Sequence, residues 1–231
     1  MNSSPAVPQH VAIICDGNRR WAKEHGLEVF LGHQKAVDEV FEPLIDRASE
    51  RGVKYITFWV FSTENWQRAS QEVSYLLQLL RDVFDKQVKR LHEKNMRVQV
   101  IGDTSKFDQD IQDRITDGIE LTMNNSGITV IFALNYGGRD EILRAVERVQ
   151  LDHPDEKITE HMFSSYLDTM LIPDPDFVIR TGGEQRLSGF LLWQIEYAEL
   201  AFPEFYFPDF TPEKLDELLA EYASRKRRFG K

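Results

Sequence analysis

A chain of 231 residues with 42% apolar content has the length and composition of one soluble α/β domain with a full core. Asp and Glu outnumber Lys and Arg by 38 to 28, which argues against a general nucleic-acid binder, so any anion site must be a local arginine cluster built against the net charge. The one cysteine, Cys15, excludes an internal disulfide and fits a reducing compartment, and its apolar surroundings predict packing rather than reactivity. MNSSPAVPQ lacks the basic start and apolar core of a signal peptide, and no apolar run approaches membrane-spanning length. A cytoplasmic protein is expected, at most peripheral at the inner face of a membrane.

In chain order, Val11-Ala12-Ile13-Ile14-Cys15 predicts a buried strand that stops at the turn formers Asp16-Gly17-Asn18, before a helix beginning near Arg19. After Gly32-His33, apolar residues from Ala36 to Ala48 recur at helical spacing up to Gly52, and Pro43 inside the pattern predicts a kink or a split. Val53 to Phe61 is a second buried strand, followed by Ser62-Thr63-Glu64-Asn65-Trp66-Gln67-Arg68. Val73 to Leu91 is one long amphipathic helix whose apolar stripe reads first as core packing. Then come a strand at Arg97 to Ile101, a helix around Phe107 to Met123 and a strand at Ile128 to Leu134. Asn135-Tyr136-Gly137-Gly138 leads into a helix from Arg139 to Val149. A short helix from Thr159 and a fifth strand, Asp176 to Ile179, precede the loop Arg180 to Gly189. A sixth strand is expected around Leu200 to Phe202, and Thr211-Pro212 opens the last helix. With no repeat or linker, residues 1–231 read as a single domain around a mostly parallel six-stranded sheet.

Loops that follow the strands of a parallel sheet gather at one edge, which would bring together Asp16, Arg20, Ser62, Asn65, Arg68, Arg180, Arg186 and Ser188. The helix start after Asp16 offers backbone N–H groups to an anion, and Arg19 and Arg20 add charge. A carboxylate there repels an anion unless a hard cation such as Mg²⁺ lies between them. The local reading is a Mg²⁺-diphosphate site; the alternative is a turn whose aspartate caps the helix and whose arginines are solvated. Arg180 to Gly189, with two arginines and two hydroxyls, reads as a second anion site or as a solvated basic loop. There is no G-x-x-x-x-G-K-[ST] loop, no zinc-spaced Cys/His cluster and no Asp-Asp-x-x-Asp pair.

HVAIICDGNRRWA, Gly32-His33, FSTENWQR, NYGGRDEI and IRTGGEQRLSGFLLWQIEYAEL together resemble the cis-prenyltransferases, the undecaprenyl diphosphate synthase family, through nearly the whole chain. The resemblance implies a sheet ringed by helices, a homodimer and an apolar tunnel for the prenyl chain. It also implies Mg²⁺-dependent condensation of isopentenyl diphosphate with an allylic diphosphate such as farnesyl diphosphate, giving a Z-polyprenyl diphosphate for a lipid carrier. By the same resemblance Asp16 is the aspartate of the Mg²⁺-diphosphate site, with Gly17, Asn18, Arg19 and Arg20 around the allylic diphosphate and Trp21 and His33 touching substrate. Ser62, Thr63, Glu64, Trp66 and Arg68 match the segment after the second strand, and Asn65 the residue that assists proton removal. An Asn is a weak base, so positioning the diphosphate or a water is the more plausible role for it. Arg180, Arg186, Leu187 and Ser188 match the isopentenyl diphosphate site, Glu199 a second Mg²⁺-associated carboxylate, and Arg228 with Gly230 an ending that reaches the neighbouring subunit's site.

Three positions depart from the pattern: Val29 where many relatives carry Arg, Ala69 where Pro is usual, and Gly189 in place of Asn. The tunnel is expected along Val73 to Leu91 and the strand faces bearing Phe58, Val60, Ile128 and Phe132, with Val60 and Phe132 shortening the product. Two other readings are a catalytically silent partner subunit and a phosphohydrolase using Asp16 as nucleophile, though the latter would want an aspartate at position 18, which is Asn18.

Overall fold

The computed structural model describes residues 6–225. Among them, β1 (His10–Ile14), β2 (Tyr55–Ser62), β3 (Arg97–Ile101), β4 (Thr129–Tyr136), β5 (Phe177–Arg180) and β6 (Glu199–Ala201) form one sheet in the order β3-β4-β2-β1-β5-β6. Every pairing is parallel. Helices on both faces explain the composition of the central strands: β1 and β4 are buried at every residue and read as continuous apolar runs.

The chain leaves β1 toward β2 on one side and leaves β5 toward β6 on the other. The crevice between the carboxyl ends of β1 and β5 is therefore the switch point of the sheet, where ligands bind in open α/β folds. Every strand but β3 differs from expectation by a residue or two. β4 runs on through Tyr136 because it pairs with β2 past an irregularity around Val60, with Ser62 opposite Tyr136.

The larger core lies between one sheet face and α3 (Phe41–Glu50), α4 (Ser70–Asp82), α5 (Val88–Glu93), α6 (Gln109–Thr122) and α9 (Pro212–Ser224). A smaller core on the opposite face centres on Ile131, Tyr136, Phe190 and Leu191. α1 (Asn18–Glu24) and α2 (Val29–Lys35) sit above the carboxyl edge, while α7 (Gly138–Asp152) and α8 (Glu160–Ser164) pack together through Ala145 and Phe163.

The helix around Pro43 is interrupted, by a π turn at Ala36–Val40 between α2 and α3, and Pro43 is the third residue of α3. The expected single helix over Val73 to Leu91 is likewise interrupted, by a π turn at Val83–Gln87 between α4 and α5. No helix among the described residues is long and apolar enough to cross a membrane.

Candidate active site

After β1 the backbone turns at Asp16 and enters α1 through Gly17, whose φ of +102° is left-handed. A Cβ at Gly17 would lie 2.5 Å from Tyr206 Cδ1, so glycine alone fits both the turn and its neighbour. Thr181 fixes the turn from β5, accepting from the Asp16 N–H (3.1 Å) and donating to the Asp16 carbonyl (2.7 Å).

The Asp16 carboxylate is the hub. Its Oδ1 accepts from the Gly17 N–H (2.6 Å) and lies 3.3 Å from Arg20 Nη2, while its Oδ2 accepts from Arg180 Nε (3.2 Å) and Nη2 (2.8 Å). Arg180 is 5% exposed, and it also donates to Ser188 Oγ (2.8 Å) and to the Arg186 carbonyl. Glu184 holds two further arginines, Arg20 at 3.5 Å and Arg186. Glu72, near the start of α4, accepts from Arg68 (2.7 Å) and lies 3.7 Å from Arg19. The site thus gathers several guanidinium groups, each aligned by a carboxylate.

Ser62 and Asn65 form a reciprocal cap at the turn after β2, in which Asn65 Oδ1 accepts the Ser62 N–H at 2.9 Å. That oxygen is committed, so what Asn65 can offer a ligand is its Nδ2 donor. At the cavity, two buried polar atoms have no protein partner: Asn18 Oδ1, on a residue 6% exposed, and His33 Nε2. Burial lowers the His33 pKa to about 3, and Arg68 and Arg19 push it the same way, so the ring is neutral. Both residues border the cavity, where a ligand can complete them.

That cavity encloses about 390 Å³. At its polar end stand Asp16, Arg68, Arg180 and Ser188; its apolar wall is made by α4, with Leu76, Leu79 and Leu80. Of the expected site residues, Asn18, His33, Ser62, Glu64 and Asn65 also border it, and Gly17, Arg19, Arg20 and Arg186 flank its mouth through the contacts above.

Others are placed elsewhere. Trp21 packs away from the cavity, stacked on His25 and donating to Asp209 at 2.9 Å. Trp66 donates to Asn135 and lies among Phe61 and Phe107, Thr63 abuts Gly137, and Leu187 packs into the core on the opposite face. Glu199 pairs with Arg225 at 2.9 Å, and its register opposite Phe177 sets it three residues back along the strand from Arg180, so it does not join Asp16. Arg228 and Gly230 lie outside the described residues. Of the expected tunnel residues, Val60 borders the cavity; Phe58, Ile128 and Phe132 do not. Sequence reasoning missed Glu72 and Glu184 as arginine partners. Glu72 stands four residues after Arg68, but Arg68 is extended and precedes α4, so the pairing is made across the helix start and not along a helix face.

A hard cation fits this donor set. Asp16 is part-exposed and a carboxylate has about four lone-pair sites, so capacity remains beyond its three donors. No cluster of three or more His, Cys, Asp or Glu able to hold a metal exists among the described residues, so an ion there would take Asp16 and complete its shell with ligand phosphate oxygens and water.

The family model described as "Putative undecaprenyl diphosphate synthase" matches residues 14–230. The chain belongs to this family. As a member of it, the protein is a cis-prenyltransferase, and its similarity to other members is spread over the whole fold. An isoprenyl transferase from Neisseria meningitidis serogroup A is 44% identical over 226 residues, covering 98% of this chain and 90% of that protein. One from Rhizobium meliloti is 46% identical over 230 residues, covering 97% and 92%. Among solved structures, lavandulyl diphosphate synthase from Lavandula x intermedia in complex with dimethylallyl diphosphate superposes with a TM-score of 0.93 at 38% identity, covering 97% of this chain and 99% of that one. A structure described as "a probable undecaprenyl diphosphate synthase" from Campylobacter jejuni gives 0.80 at 32% identity, with both chains fully covered.

Proposed function

We propose that this cis-prenyltransferase joins isopentenyl diphosphate to an allylic diphosphate with Mg²⁺ bound at Asp16, releasing diphosphate and forming a Z double bond. The observation that carries this reading is the union, in one cavity, of the Asp16–Arg180 cluster with an apolar wall along α4. One end suits diphosphates and the other suits hydrocarbon.

In the reaction, the allylic C1–O bond breaks as C4 of isopentenyl diphosphate bonds to that C1, and a proton leaves C2 to form the new alkene. Mg²⁺ when bound would supply Lewis-acid stabilisation of the departing diphosphate. Arg20 and the α1 backbone N–H groups hold that diphosphate, and their fixed dipoles meet its growing charge. Arg180, Arg186 and Ser188 hold the isopentenyl diphosphate, Arg180 linking the two subsites through Asp16. Asn65 Nδ2 and Asn18 Oδ1 orient substrate or an ordered water at the point of proton loss, and the leaving diphosphate itself is the base. The apolar wall excludes water from the cation-like carbon, and burial at about 0.8 kcal/mol per CH₂ retains the prenyl chain. Glu199, Arg228 and Gly230 keep, from the family resemblance, a proposed role at the metal or across a subunit boundary. The reading also includes a homodimer, supported by exposed Met170, Leu171 and Trp193 around the buried Gln194–Thr169 hydrogen bond, and release of an insoluble product at a membrane surface.

The test is incubation of purified protein with labelled isopentenyl diphosphate, a series of allylic diphosphates and Mg²⁺, with chelator and Asp16→Ala controls. Elongated Z-prenyl products that disappear in both controls support the reading. No elongation from any primer rejects it and favours a catalytically silent partner subunit.

A further inference from the structure

Tyr206 borders no part of the cavity, yet it lies along the helix that opens the site. It stands in the stretch 203–207, which three backbone hydrogen bonds fasten to both site turns. The Phe207 N–H donates to the Asp16 carbonyl (3.0 Å), the Gly182 N–H to the Phe205 carbonyl (2.8 Å) and the Gly183 N–H to the Pro203 carbonyl (2.9 Å). From this platform the Tyr206 side chain meets α1 at Gly17, Arg20 and Glu24, which are spaced three and four residues apart and so share one helix face. The ring fills the space that a Cβ on Gly17 would need, lies 5.2 Å from the Arg20 guanidinium, and its hydroxyl donates to Glu24 Oε1 at 2.5 Å. Arg20 has its other partners at the edge of its fork: Nη1 donates to the Gly182 carbonyl (3.0 Å) and lies 3.5 Å from Glu184, and Nη2 lies 3.3 Å from Asp16. Gly182, at φ +87°, leaves room for that fork, since a Cβ there would lie 2.5 Å from Nη2.

We infer that Tyr206 is a positioning residue for the allylic diphosphate, holding Arg20 in the orientation that receives it. The inference rests on the prenyl-transfer reading above and adds to it a residue that touches no substrate. Two physical effects carry it. The first is the ring itself. With 40% of its side chain exposed, an unsupported Arg20 would wander among water, Glu184 and Asp16, and an arriving diphosphate would have to order it. An aromatic face restrains the guanidinium through one of its own faces and leaves the N–H edge for phosphate oxygens. The second is the hydroxyl. Glu24 stands four residues after Arg20, the spacing at which a carboxylate and an arginine pair along a helix. The Tyr206 hydroxyl occupies that carboxylate, so Glu24 does not draw Arg20 away from the diphosphate.

Two measurements on the full chain test this: steady-state KM for each diphosphate substrate, and calorimetric binding of the unreactive analogue farnesyl thiolodiphosphate with Mg²⁺. Tyr206→Leu is expected to raise the allylic KM and the analogue Kd about fivefold, with the KM for isopentenyl diphosphate within about twofold of wild type. Tyr206→Phe keeps the ring and frees Glu24, so a rise of about twofold to threefold is expected, and adding Glu24→Gln should reverse it. On an Arg20→Ala background, Tyr206→Leu should cost no further affinity. If Tyr206→Leu does not fold, Tyr206→Phe and its reversal by Glu24→Gln decide the matter. Wild-type affinity in the folded variants, or a loss that persists undiminished without Arg20, overturns the positioning role while leaving prenyl transfer intact. Analogue binding that shows the coupling, in a protein that elongates no primer, upholds the role and rejects the transfer reading instead. A wild type that binds no analogue overturns both.

Discussion

Arg180 places two of its nitrogens on a single oxygen of Asp16, at 2.8 and 3.2 Å, bridging the carboxyl ends of two strands that are neighbours in space and far apart in sequence. Asp16→Asn keeps the shape and removes the charge. Transfer activity with Mg²⁺ is expected to fall by about a hundredfold or more in kcat/KM. Because Arg180 is buried while Asp16 is part-exposed, a stability loss of only about 1–2 kcal/mol should accompany it, read by urea unfolding. A variant with near-normal kinetics would remove Asp16 from the mechanism.

Asn65 separates two accounts of the proton. If its side chain were the base, Asn65→Asp would supply a stronger one and raise kcat. With Oδ1 committed to the Ser62 N–H, the change instead replaces the Nδ2 donor by a second acceptor facing a diphosphate, and kcat is expected to drop about tenfold or more. Steady-state kinetics at neutral pH discriminates the two.

His10 makes the fold sensitive to acid. Its Nδ1 donates to the Pro173 carbonyl (2.6 Å), so in the neutral ring Nε2 accepts from Thr57 Oγ1 (2.7 Å). Burial lowers its pKa to about 4, against opposing contributions from Pro173 and Asp176. The unfolded chain, with the ordinary 6.5, binds more protons between those values, so stability is full above about pH 6.5 and declines as pH falls toward about 4. The His10 share is on the order of 3 kcal/mol, and His33 adds loss in the same direction down to about 3. Thermal unfolding across this range should show the decline, and His10→Gln should flatten it.

Leu171 is 76% exposed beside Met170 and Trp193. Leu171→Asp is expected to convert the proposed homodimer to monomer in sedimentation velocity while leaving the far-ultraviolet spectrum unchanged. A wild-type monomer at micromolar concentration would refute the dimer.

The strand, turn and helix at His10 to Glu24 were legible because apolar run, glycine and arginines each act locally, and the caps at Thr159 and Thr211 for the same reason. The meeting of Asp16 with Arg180 was legible one level up, from the rule that parallel strands share a carboxyl edge. The π turns were not, since an inserted residue leaves the apolar periodicity nearly intact and its stray carbonyl finds Gln87 only in the folded chain. Nor were the directions of Trp21 and Trp66: resemblance transfers a residue's identity, while Asp209 and Asn135 decide where each ring points.

The ion pair between Asp16 and Arg180 closes a loop of 164 residues. Local helices can form early, but β1 cannot acquire its β5 neighbour until the chain has been made past residue 180, and such distant pairings are slow to find. On the ribosome, the emerging protein would carry its hydrocarbon wall and Asp16 before Arg180 arrives to pair with that carboxylate, so nascent chains and C-terminal truncations ending before Arg180 lack the link between the two diphosphate subsites.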